Sequence, residues 1–220
     1  MANTARNRPS AKKKAAAPSR LPMILGALAV VALAVVIALM TTSDSGSSVT
    51  VEEFAGSPSV TTDPLPMFGG DTANDPAIGQ RAPTVDGESV ADEEVVIGEP
   101  GRSQLLLFLA SWCPACQAEL PELVEWLDGG NLPDEVDLTA VITGLDATRP
   151  NWPPTDWLDD EGYTGATIVD DEASTIANAY GMSGTPFWVA IDSEGNVVAR
   201  ASGRLEMTQV QVMADSLATR

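Results

Sequence analysis

The chain has 220 residues, with 31 acidic and 12 basic side chains, two cysteines and no histidine, for a formal net charge of −19. Without histidine there is no Ser-His-Asp or Cys-His catalysis and no histidine-ligated haem or metal, and two cysteines cannot build a four-thiolate zinc site, so neither a metal nor a cofactor is expected. A balance this acidic excludes a phosphate-gripping nucleic-acid binder.

The charge is unevenly spread. Residues 1–20 form a basic tail, and residues 1–40 carry six Lys/Arg and no acid. Residues 41–220 carry the remaining six arginines and all 31 acids. Between them, Leu21 to Met40 reads LPMILGALAVVALAVVIALM, with no charged side chain. Twenty helical residues span about 30 Å, the thickness of a bilayer's hydrocarbon core. A transmembrane helix is therefore expected over 21–40. The positive-inside rule puts the N-terminus in the cytoplasm and the rest outside the cell membrane, on a single anchor. The alternative is a cleaved signal peptide. The run exceeds the usual ~7–15-residue apolar region, and no A-x-A site precedes Thr41. Residues 41–77 are rich in Ser, Thr, Gly, Pro and Asp, and read as a disordered linker.

A globular domain is expected over 78–220. Val95-Val96-Ile97 is a short β-branched run. Leu105 to Leu109 is continuously apolar, as in a central strand covered on both faces. Cys116 to Asp128 has helical spacing, closed by Gly129-Gly130. Leu138 to Ile142 is another buried strand. Pro150 to Asp160 reads as a loop entering a short helix. Thr167 to Val169 follows as a strand and Ala173 to Tyr180 as a helix. Phe187 to Ile191 and Val197 to Ala201 flank a hairpin signal, DSEGN. Met207 to Leu217 is a last amphipathic helix. This order predicts an α/β fold, a mixed central sheet with helices on both faces.

The chemistry lies at Trp112-Cys113-Pro114-Ala115-Cys116. Two cysteines separated by two residues, after a buried strand and at the opening of a helix, form a redox pair. The helix start offers free N–H groups and a positive dipole end. Both lower the pKa of Cys113 below the free value of about 8.5 and supply the thiolate that attacks disulfides. Cys116, one turn further in, resolves the mixed disulfide. A purely structural bridge would close too small a loop to stabilise much. Haem attachment would need histidine where Gln117 stands.

The stretch FLASWCPACQAELPEL, followed about 70 residues later by AYGMSGTPFWVAIDSEGNVVAR, resembles the thioredoxin superfamily. In particular it resembles the membrane-anchored TlpA-like thiol-disulfide oxidoreductases, which include reductants used in cytochrome c maturation. The opening Ile78-Gly79-Gln80-Arg81-Ala82-Pro83 fits as well. The resemblance implies a thioredoxin fold and a cis peptide at Pro186. It also implies a substrate-binding edge made by Thr185 and Pro186, with Trp112 beside the reactive cysteine. It further implies a role for Glu119 in setting the cysteines' protonation. The other reading of Glu119 is a solvated first-turn acid that complements the helix dipole. Ordinary thioredoxins carry a buried Asp six residues before the first cysteine; here that position is Leu107. Pro121 is expected to kink the helix, and Trp126, Trp152, Trp157 and Trp188 are expected to serve packing. The partners implied are exported proteins with disulfides or dithiols, and a membrane protein that relays electrons across the bilayer. Two other functions compete. A peroxiredoxin-like peroxidase would want Thr at Ala110, and a non-catalytic interaction module would not need both cysteines.

Overall fold

Strand Ser103–Leu109 is apolar on both faces because it lies in the middle of a sheet. The computed structural model describes residues 49–219. The basic tail, the apolar run 21–40 and residues 41–48 lie outside them. Among the described residues no helix is long and apolar enough to cross a membrane. In chain order the elements are α1 (Val51–Phe54), β1 (Ser59–Val60), β2 (Val85–Glu88), β3 (Glu94–Ile97), β4 (Ser103–Leu109), α2 (Pro114–Asp128) and β5 (Val136–Ile142). They continue with α3 (Pro154–Asp160), β6 (Ala166–Val169), α4 (Thr175–Ala179), β7 (Phe187–Ile191), β8 (Val197–Ser202) and α5 (Met207–Ala218).

The main sheet has the order β6-β5-β4-β7-β8. Strands β4, β5 and β6 run parallel, while β7 and β8 are antiparallel to their neighbours. Successive side chains of β4 point to opposite faces. Leu105, Leu107 and Leu109 enter one core with Leu120, Leu123, Val210 and Leu217 from α2 and α5. Leu106 and Phe108 enter a second core with Ile176, Tyr180 and Phe187. This mixed sheet, covered on both faces, is the expected thioredoxin fold. Helix α2 runs through Pro121, whose missing N–H falls on its exposed side.

A three-stranded antiparallel sheet, β1-β2-β3, precedes the main one. Of its strands only β3 is legible in sequence. Val85-Asp86-Gly87-Glu88 has one apolar residue and a glycine. That glycine lets the strand lie close to β6, because a Cβ on Gly87 would sit 2.9 Å from Ile168 Cδ1 and force that side chain to shift.

The linker expected over 41–77 needs correction from Val49 onward, because this segment is packed onto the domain. Leu65 and Phe68 are buried in the second core. Their N–H groups donate to Ala179 O and Gly181 O, each at 2.8 Å. Asp75 accepts from Arg200 Nε at 2.7 Å and Nη2 at 2.5 Å, and neither side chain has any exposure. Arg200 also donates to the carbonyls of Pro66 and Tyr180. A few anchors, diluted in a polar stretch, thus find partners that β8 and α4 supply.

Helix α4 is shorter than the expected Ala173 to Tyr180, since Ser174 is left-handed at φ 56°. Buried Asp170 accepts from the Ile176 and Ala177 N–H groups at 2.8 and 3.1 Å, which satisfies the helix start.

Candidate active site

Strand β4 ends at Leu109, and a tight turn delivers Cys113 to the N-cap of α2, just before Pro114. The Cys113 N–H donates to Ala110 O at 3.0 Å, and the Cys113 carbonyl accepts the first helical bond from Gln117 at 3.0 Å. The turn is tied from two sides. Ser111 O accepts from Gln117 Nε2 at 2.8 Å and from Asn151 Nδ2 at 3.1 Å. Trp112 Nε1 donates to Gly144 O at 2.6 Å, which fixes the indole plane. Asn151 sits at φ 60°, a conformation asparagine tolerates better than most residues.

The cysteines are both free, and their surroundings differ. Cys113 is 8% exposed and Cys116 is fully buried. Burial alone would push the Cys113 thiol up. Hydrogen bonds to its sulfur from the Thr185 side chain and from the Cys116 and Ala115 backbone outweigh that, and Cys113 is held below its ordinary value. These backbone groups are the unsatisfied N–H donors of a helix start. The Thr185 carbonyl, 3.4 Å from the same sulfur, accepts from it while it is a thiol. Burial pushes the Cys116 thiol up to about 12. One cysteine ionises readily and the other does not.

The Thr185–Pro186 peptide is cis. It places Thr185 directly against Cys113, so the structure joins Trp112, Cys113, Thr185 and Pro186 at one edge. A second cis peptide, Trp152–Pro153, was not anticipated.

Glu119 is not the solvated acid of the simpler expectation; it has no exposure. Its Oε1 accepts from Trp188 Nε1 at 3.1 Å and from the Leu205 N–H at 2.8 Å. Its Oε2 has no partner. Burial raises its pKa, partly offset by those two hydrogen bonds. Trp188, expected only to pack, therefore also holds a carboxyl. Sequence spacing hid this, because residues 119 and 188 meet only through the β4–β7 pairing, where Trp188 lies opposite Leu107. Trp126 donates to Gln211 at 2.9 Å and Trp152 to Val49 O at 2.6 Å, while Trp157 is buried with its N–H unpaired. Arg149, missed by the sequence reading, lies with its guanidinium carbon 4.5 Å from the Trp112 ring centroid. Among the described residues no cluster of three or more His, Cys, Asp or Glu forms a metal site.

Residues 77–217 match the redoxin family model. The chain belongs to the redoxin family. A thiol:disulfide interchange protein, the DsbE homolog of Paracoccus denitrificans, is 30% identical over 133 residues, covering 58% of this chain and 68% of that protein. The methylamine utilization protein MauD of Methylophilus methylotrophus is 29% identical over 128 residues, 57% of this chain and 56% of its own length. The chain thus spans little more than half of that relative. The crystal structure of StoA from Bacillus subtilis superposes with a TM-score of 0.51 at 22% identity, over 63% of this chain and 98% of that one, a likeness of fold. This redoxin is a TlpA-like member of the thioredoxin superfamily and a thiol-disulfide oxidoreductase.

Proposed function

We propose that the chain is a membrane-tethered, extracytoplasmic reductant that exchanges disulfides with exported proteins. The observation that carries the exchange chemistry is the placement of two free cysteines at one helix start. Cys113 stands at the N-cap beside Thr185 with its sulfur partly reachable, and Cys116 lies one turn further in and fully buried. This placement lowers the first thiol's pKa and raises the second's. The Cys113 thiolate attacks a substrate disulfide, forming a mixed disulfide and expelling one substrate thiolate. Cys116, once it gives up its proton, attacks the Cys113 sulfur. This expels the second substrate thiolate and leaves a Cys113–Cys116 disulfide. Two electrons have passed to the substrate. A transmembrane electron donor restores the dithiol.

The tether is supported by the charge-free run Leu21 to Met40 behind a basic tail. The reducing direction, and cytochrome c maturation as the process served, are supported by the TlpA-like motif set. Reduction of insulin by the dithiol form tests the exchange. Wild type should be active and Cys113→Ser inactive. Cys116→Ser should accumulate a mixed disulfide at Cys113. Activity that survives Cys113→Ser would contradict the proposal.

A further inference from the structure

The surroundings of Trp112 hold a cation that the exchange chemistry does not use. Residues 41–220 set six arginines against 31 acids, with no lysine. Most of the described arginines are committed to oxygen partners. Arg102 pairs with Asp137, Arg200 with Asp75 and Arg204 with Glu122. Arg81 donates to the Glu194 carbonyl. Arg149 differs, since among the described residues its guanidinium makes no hydrogen bond or ion pair with an oxygen; Asp146, whose own carboxylate is held by Thr148, feels its charge only at longer range. It is exposed and lies over the Trp112 indole, 4.5 Å from the ring centroid. That ring is itself fixed by Gly144 O and adjoins Cys113 in sequence. A guanidinium stacked on an aromatic face keeps its N–H edge free in a defined plane, suited to a bidentate carboxylate.

We infer that Arg149 is a specificity residue of the exchange reaction, a docking point for a carboxylate carried beside the reactive disulfide of the substrate protein. The inference rests on the exchange activity proposed above. The rest of the acidic surface serves the same end. An acidic substrate segment meets repulsion over most of this surface and attraction at Arg149, beside Trp112 and Cys113. Repulsion elsewhere with one local attraction sets orientation.

The test uses the full chain and three synthetic disulfide peptides that differ only in the residue beside the cysteine: Glu, Gln or Lys. Because the comparison is a ratio of rates on one enzyme, a uniform loss of activity cancels. Wild type should reduce the Glu peptide about two- to five-fold faster than the Gln peptide, the size expected of an exposed ion pair. That preference should fade at high salt. Arg149→Met, which keeps the stem on Trp112, should bring the ratio to one. Arg149→Lys should keep part of it. Arg149→Glu should favour the Lys peptide. A Glu-to-Gln ratio unchanged in Arg149→Met, or a wild-type preference for the Lys peptide, overturns the inference and leaves the exchange activity standing. Failure of wild type to reduce any of the peptides, or insulin, overturns the exchange activity itself.

Discussion

The indole N–H of Trp188 donates to Glu119 Oε1 across 3.1 Å, joining the start of β7 to the second turn of α2 inside the core. The same oxygen takes the Leu205 N–H at 2.8 Å, while Oε2 is buried without a partner. The two donors share one oxygen and leave the other bare. Burial, the largest influence, raises the Glu119 pKa above its ordinary 4.5.

The sign of the resulting pH dependence follows from that direction. A carboxyl whose folded pKa is raised contributes stability below its unfolded value, and this is lost as pH rises through the folded pKa. Glu119→Gln keeps an acceptor at Oε1 and cannot ionise. The variant should therefore gain stability relative to wild type as pH rises above about 4.5, then level off once Glu119 has ionised. Urea denaturation at a series of pH values checks this, and a pH-independent difference would contradict it. Glu119→Ala should instead lose about 1–3 kcal/mol for each buried N–H left unpaired.

The Asp75–Arg200 pair makes a prediction about where the domain begins. Both side chains are fully buried, so removing one partner leaves an uncompensated charge. Asp75→Asn should cost about 3–5 kcal/mol. Replacing both partners by apolar residues of similar volume should recover much of that loss. A chain beginning at Ile78 should lose at least as much as Asp75→Asn, since it also uncovers the sites of Leu65 and Phe68. Equal denaturation midpoints for chains beginning at Val49 and at Ile78 would show the earlier segment to be a mere tether.

The turn before the cysteines is held by Asn151 Nδ2, which donates to Ser111 O at 3.1 Å. Asn151→Ala removes that bond and puts alanine at φ 60°. The expected cost is about 1–3 kcal/mol of stability, from a lost hydrogen bond and a strained backbone. Slower alkylation of Cys113 should accompany it. Asn151→Asp, which tolerates the same φ but cannot donate, separates the two effects.

Much of this was readable in the sequence, for reasons that differ by element. Strand β4 announced itself because an apolar run with no polar face fits only a covered strand, and α2 because its stripe stops at Gly129-Gly130. Cys113 and Cys116 were legible because their chemistry depends on a spacing of three along one chain. Glu119 could be named from its place after Cys116, but not its burial, which depends on Trp188 and Leu205 arriving from distant elements. The same holds for Arg200, which reads as an ordinary strand arginine until Asp75, 125 residues earlier, is brought against it. Arg149 carried no local signal, because its meaning comes from Trp112 across the Gly144 loop. Residues 49–77 misled because average composition conceals a few well-placed apolar anchors.

A reducing role predicts a potential nearer the about −270 mV of thioredoxin than the about −120 mV of a strong oxidant. Equilibration against glutathione at pH 7, read by alkylation of the dithiol form, gives the value. A result near the oxidant figure would reverse the proposed direction of electron flow and leave the exchange chemistry intact.

The most direct measurement is the rate of alkylation of each cysteine of the reduced full chain as a function of pH, resolved by peptide mass. Cys113 should react first, with a midpoint below the free-thiol value of about 8.5. Cys116, its thiol pushed up to about 12, should stay unmodified through neutral pH. Equal labelling of the two, or a Cys113 midpoint above that of a free thiol, would contradict the account.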